Sequence, residues 1–157
     1  MRLLLFLFIF LPAVPACSGQ GSEQESTPEA ASTADVTAVE VTGAPNEYSF
    51  EVTVRSPDTG CEQYADWWEV VSPEGALLSR RILLHPHVDE QPFTRTGGPV
   101  DVSADSTVLV RAHMNTAGYG GQALRGTPAD GFSPTDPPMG FASDLEDAPP
   151  QPDGCGL

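Results

Sequence analysis

The chain has 157 residues, of which 22 are acidic and 7 basic, giving a formal net charge of −15 at pH 7. Every basic residue is an arginine, and the excess negative charge repels phosphate, which excludes nucleic acid and anionic lipid heads as partners. Three cysteines in so short a chain raise the question of compartment, because an even number left over after any modification points to an oxidising one.

Met1 and Arg2 place one positive charge ahead of "LLLFLFIFL", residues 3–11, an apolar run of signal-peptide length and too short to span a bilayer. It runs into "VPAC" at 14–17, with Ala16 directly before Cys17 and no acidic residue upstream. This stretch resembles the lipobox of bacterial lipoproteins. The resemblance implies removal of residues 1–16 and acylation of the Cys17 thiol, with palmitate-type chains fixing the protein to the membrane; several chains bind far more firmly than one. It further implies outer-membrane sorting in a Gram-negative cell, since Ser18 stands where an aspartate would retain the protein at the inner membrane. The alternative is an ordinary secretory leader cut after Ala16. Either way the chain is exported, and without Arg2 it carries 6 basic residues against 22 acidic ones, near −16.

Residues 18–34 (SGQGSEQESTPEAASTA) hold no large apolar side chain and so cannot order themselves by burial, which makes 17–34 a flexible tether. The next segment, 36–41, is a weak strand candidate. Residues 48–55 (YSFEVTVR) are a clear one, with apolar side chains at 48, 50, 52 and 54, the period-2 pattern of a strand with one buried face.

"WWEVV-SPEG-ALLSRRILL" (67–84) predicts a hairpin, with Pro73 and Gly75 placed for a type I turn followed by a left-handed glycine. A three-residue loop closed by Ser72 and Ala76 sets Trp68 opposite Arg80 and Trp67 opposite Arg81. A two-residue loop sets Trp67 opposite Arg80 and Asp66 opposite Arg81. Both put an arginine across from a tryptophan, a cation–π pair contributing about 0.5–2 kcal/mol.

"HPHVDEQPF" (85–93) follows, with Pro86 and Pro92 marking a strand exit and loop, and "TGGP" at 96–99 reads as a turn. His85 and His87, with His113 approaching from another strand, form a candidate zinc or copper site, the basis of a rival reading as a periplasmic metal-binding domain. Residues 100–102 are a weak strand and 107–114 (TVLVRAHM) a clear one. "GPVDVSADSTVLVRAHMN" resembles the penultimate strand pair of immunoglobulin-like and fibronectin type III domains. That resemblance implies an antiparallel β-sandwich with the 107–114 strand beside the tryptophan strand. Alternation then turns Trp67, Arg81, Arg111 and His113 to one outer face.

Residues 123–157, rich in proline and acid, read as a tail that is neither helical nor a central strand. The expected architecture is therefore all-β: leader 1–16, tether 17–34, an immunoglobulin-like sandwich over 35–122, and a proline-rich acidic tail over 123–157. With Cys17 consumed by lipid, Cys61 and Cys155 pair as a disulfide. That bond closes a loop whose chain-entropy contribution is on the order of 4–5 kcal/mol.

No GxSxG, no HExxH and no phosphate-binding glycine loop occurs, "GYGG" at 118–121 does not open a helix, and Asp89 and Glu90 point to opposite sides of an extended chain. The expected role is non-enzymatic and needs no cofactor. It is binding, or support of an envelope assembly, through the Trp67, Arg81, Arg111 and His113 face, whose ligand would be anionic, a carbohydrate or an envelope protein. The competing expectation is that the chain's own acidic tail lies on that face, pinned by Cys155.

Overall fold

The structure is a computed structural model that describes residues 32–156; the leader, the Cys17 modification and most of the tether expected from sequence lie outside the described residues. Eight strands follow in order: β1 (Asp35–Thr42), β2 (Tyr48–Arg55), β3 (Ala65–Val71), β4 (Leu77–Ile82), β5 (Phe93–Val100), β6 (Val108–Met114), β7 (Ala123–Thr127) and β8 (Gly131–Thr135). One 3₁₀ turn, Ser143–Asp147, follows them. They form two antiparallel sheets, β1-β2-β5 and β4-β3-β6-β7-β8, packed as a sandwich. β6 pairs with β3 as expected.

Alternation builds the core. Phe50, Val52 and Val54 of β2 face Trp68 and Val70 of β3 and Val108, Val110, Ala112 and Met114 of β6, with Phe93, Val100 and Val36 completing the cluster. β2 shows the half-buried pattern its sequence predicts, whereas β3 and β6 are buried at every position. Something therefore covers the outer side of the larger sheet.

Three expectations are corrected. First, "TGGP" is not a turn but lies within β5, which pairs with β2 from Val54–Phe93 to Tyr48–Val100. The glycine is there for closeness of approach rather than for bending, because a Cβ on Gly97 would sit 2.7 Å from Trp68 Cη2 and 2.9 Å from Cζ2. Gly97→Ala therefore forces Trp68, fully buried, off its position, and an unfolding titration is expected to show a loss of about 1–3 kcal/mol. No loss would mean that the indole has room to shift.

Second, the sandwich does not end at residue 122. β7 lies between β6 and β8, with Ala123 and Leu124 buried. Pro128 falls just after β7, and Pro134 falls on β8 at the sheet edge, where a missing N–H is tolerated. At the other boundary Ala34 is already part of the core.

Third, the hairpin closes through the three-residue loop, one of the two open to the sequence, with Ser72 N–H donating to Ala76 O at 2.8 Å and Gly75 at φ 92°. Its register then slips, because Val70 pairs with Ser79 and Val71 with Leu77, so that Leu78 is the extra residue of a bulge. Trp67 consequently faces Ile82, Trp68 faces Arg81 and Glu69 faces Arg80. A one-residue slip exchanges the faces of the two arginines. Arg80 is on the outer face, while Arg81 shares the side of the core residue Trp68 and reaches across to β5, its Nε donating to Thr96 O at 3.1 Å.

Candidate functional site

The outer face of the larger sheet is organised around one acid. Glu69, 0% exposed, sits at the centre of β3 between β4 and β6, opposite Arg80 on one side and Arg111 on the other. Its Oε2 accepts from Arg80 Nε at 2.9 Å and Nη2 at 2.7 Å, and its Oε1 accepts from Arg111 Nε at 2.9 Å, with Arg111 Nη2 2.8 Å away in the ion pair. Each guanidinium is also stacked: Arg80 Cζ lies 4.4 Å from the Trp67 ring centre, Arg111 Cζ 3.4 Å from that of Tyr119. Burial and the neighbouring Glu69 carboxylate push the Tyr119 hydroxyl up to about 12, so it is a neutral phenol at physiological pH.

The remaining guanidinium N–H groups point outward, and the C-terminal segment meets them with main-chain oxygens. Arg111 donates to Phe141 O at 2.7 Å and Ala142 O at 2.8 Å. Arg80 donates to Leu145 O, to Ala148 O at 2.6 Å and to Pro150 O at 3.0 Å. The segment is held covalently by the Cys61–Cys155 disulfide, Cα–Cα 5.6 Å, as the cysteine count led us to expect. Leu145 is its buried anchor. Thus the tail does cover the arginine face, but its backbone carbonyls make the contacts. Asp144, Glu146, Asp147 and Asp153 all stay exposed.

Of the predicted face, the structure gathers Trp67, Arg111 and His113. It removes Arg81 and supplies Arg80 in its place. None of the three is open to a ligand, with Trp67 at 2%, Arg111 at 5% and His113 at 7% exposure, so this face is corrected from an open docking surface to an internal one. His113 lies flat on Trp67, ring centres 3.7 Å apart, and its Nδ1 hydrogen-bonds Asp66 Oδ1 at 2.7 Å.

The His85, His87 and His113 metal triad does not assemble. His113 lies on the outer side of β6 against Trp67, whereas His87 stacks at 3.8 Å on the core residue Phe93 of the other sheet. Among the described residues no group of three or more His, Cys, Asp or Glu side chains is placed to hold a metal ion.

His87 is instead a buried histidine whose ring nitrogens have no hydrogen-bond partner; its backbone N–H donates to Asp58 Oδ2 at 2.8 Å. Burial lowers its pKa from 6.5, and Arg95 and His85 act in the same direction, outweighing Asp58 and Glu90. The unfolded chain then takes up this proton first as pH falls below 6.5, so the fold loses stability from 6.5 down to the lowered native value and no further. We expect His87→Phe, which preserves the stack on Phe93, to be less sensitive to acidification across that window than the parent. Identical pH profiles for the two in denaturant titrations would contradict this.

Glu69, Tyr119, Asp66 and Asp58 were not singled out from sequence, whereas Arg80 was read there only as the cation–π partner of a tryptophan, which it is for Trp67. A signal for the first exists, since Glu69 is a lone acid in "WWEVV" on the same side of its strand as Trp67.

No family model matches the chain, and no solved structure matches it. A protein of Halomicrobium mukohataei named "Putative lipoprotein" is 44% identical over 95 residues, which is 60% of this chain and 45% of that protein. The chain thus spans less than half the length of this relative.

Proposed function

We propose that the protein is exported, anchored to the membrane through lipid on Cys17, and non-enzymatic, its sandwich serving as a binding or assembly module of the cell envelope. The observation that carries this reading is the Cys61–Cys155 disulfide. It belongs to an oxidising compartment, and the third cysteine of the chain is Cys17, in "VPAC". The name of the Halomicrobium mukohataei relative points the same way.

The fold suggests which surface is offered. β1 begins beside the end of β2, Asp35 opposite Arg55. The tether therefore enters at the end of the sandwich that carries residues 56–64, 83–92 and 115–122. The turns at 43–47, 72–76, 101–107 and 128–130 lie at the opposite end, away from the membrane. The turns at that end carry Glu47, Glu74, Asp101, Asp105 and Asp130 on a strongly acidic chain, and an envelope partner docking on them carries basic complementary charge.

Intact mass spectrometry of the membrane fraction tests the anchor. A mature chain beginning at an acylated Cys17, lost to the soluble fraction in Cys17→Ala, is expected. An intact leader, or a mature chain without fatty acid, would overturn it.

A further inference from the structure

Every polar bond from the two arginines to the C-terminal segment ends on a main-chain carbonyl, and the five acceptors fall within ten residues, Phe141 to Pro150. The Arg80–Glu69–Arg111 unit is in effect a comb of guanidinium donors, fixed by one buried carboxylate and flanked by Trp67 and Tyr119. It is built to read an extended, proline-containing backbone. Its occupant, residues 136–156, is a strap joined to the sandwich by a thin hinge. Between β8 and Phe141 the chain arches over two cavities of about 270 and 230 Å³ that share Pro137, Pro138 and Phe141 in their walls. Met139 is fully exposed and Gly140 sits at φ 76°. The strap is thus held by its carbonyls, by Leu145, by the disulfide and by Gly156 N–H donating to Leu84 O at 2.6 Å, and the hinge itself has little to lose on opening.

We propose that the strap is an exchangeable ligand. Residues 136–156 of one copy dock on the Arg80–Glu69–Arg111 groove of a second copy, giving a strap-swapped pair closed by two Cys61–Cys155 bonds between chains. The swapped pair makes the same strap contacts as two closed monomers. It also contains the same two S–S bonds, so exchange needs no net oxidant. A small thiolate attacks Cys61 of one copy and is held there as a mixed disulfide; the freed Cys155 thiolate attacks Cys61 of the second copy and expels that copy's Cys155, which then displaces the small thiolate from the first Cys61. The barrier is charge: two chains of −15 each repel one another, and salt screens that repulsion.

The experiment uses two full-length chains in mild detergent, both carrying Cys17→Ala. One has Cys61→Ser and donates a strap with a free Cys155; the other has Cys155→Ser and offers a free Cys61. They are mixed in high salt with oxidised glutathione, which accepts the two electrons of each new bond and leaves as two reduced molecules. We expect a Cys61–Cys155 cross-link between the two chains, exceeding the Cys155–Cys155 dimer formed by the donor alone. A synthetic peptide of residues 136–156 bearing Cys155→Ser, added at about ten times its Kd, should lower the cross-link about tenfold by occupying the groove. Absence of the mixed pair, a yield no greater than the donor's own dimer, or a cross-link indifferent to the peptide would each overturn the proposal. Wild-type chain, oxidised from denaturant at rising concentration and salt, gives a check that depends on no variant: a disulfide-linked dimer must appear whose peptide map contains only the 61–155 linkage. Because Cys17 is absent from the mixing test, its failure is distinct from failure of the lipid anchor.

Discussion

Glu69→Ala is expected to cost about 3–5 kcal/mol, the range for removing one partner of a buried ion pair and leaving the other charges uncompensated. Among the described residues Glu69 is the only carboxylate paired with Arg80 and Arg111, and its loss leaves two stacked guanidiniums, on the strands either side of β3, with main-chain carbonyls and the Tyr119 hydroxyl as acceptors. At a urea dependence of about 1–3 kcal/mol per molar, the unfolding midpoint should fall by at least a molar unit. Glu69→Gln separates charge from shape, because it fills the same space yet offers a single neutral acceptor to the three N–H donors that Glu69 satisfies. It should recover little of the loss. A complementary variant sharpens the test: replacing Glu69, Arg80 and Arg111 together with apolar residues of similar size should cost less than Glu69→Ala alone, since no buried charge is stranded. It should nonetheless leave residues 141–150 open to protease, as their carbonyl donors are gone. A Glu69→Ala cost below about 1 kcal/mol, the scale of an exposed pair, would show that water reaches the cluster and that it does not hold the strap.

What was legible in the sequence follows the strength of local patterns. β2 and β6 announced themselves because alternate side chains on one face had to be apolar, and the 72–76 turn because proline and glycine leave few backbone solutions. The disulfide followed from compartment and count. β5 was hidden by "TGGP": the same glycine and proline that mark a turn also serve a strand at which an indole presses against the backbone, and only the position of Trp68 tells the two apart. β7 and β8 were hidden by the average composition of the segment that contains them, although "ALRGT" itself carries no proline. At the outer face, alternation assigned Trp67, Arg111 and His113 to the right side. The arginine of β4 was misassigned because one extra residue, Leu78, reverses every side chain beyond it, and nothing local in "ALLSRRI" marks the bulge. That the face is shut was one of two readings open to the sequence. It could not choose between them, since the strap binds through carbonyls that every residue possesses, so its side chains carry little record of where it docks.

Breaking the Cys61–Cys155 bond should therefore produce a different failure from breaking the ion cluster. The bond spans 94 residues, and the loop-closure estimate for that span is about 4–5 kcal/mol, an upper value because reduced chains keep some structure. Cys155→Ser, or reduction by dithiothreitol, is expected to lower global stability by about 2–4 kcal/mol while leaving the sandwich folded, since the core comes from strands β1 to β8 and from Leu83, Val102 and Ala34, none of it from the strap. What changes first is the outer face. Once the covalent pin is gone, the strap is held by six hydrogen bonds, five from the arginines and one from Gly156 N–H to Leu84 O, and by Leu145, and its five exposed acids face a domain that is itself strongly negative. Release uncovers Trp67, now 2% exposed, so the tryptophan emission should shift to the red and residues 136–156 should become the earliest site of proteolysis. Salt must oppose both changes, because screening weakens the repulsion between strap and sandwich over distances beyond about 10 Å at 0.1 M while leaving the short arginine–carbonyl bonds in place. Reduced protein at low salt should therefore be the most open and reduced protein at high salt the most closed, with the oxidised form nearly indifferent. If the oxidised and reduced forms responded to salt alike, or if reduction unfolded β2 and β6 together with the strap, the strap would be an inseparable part of the core rather than a ligand resting on it.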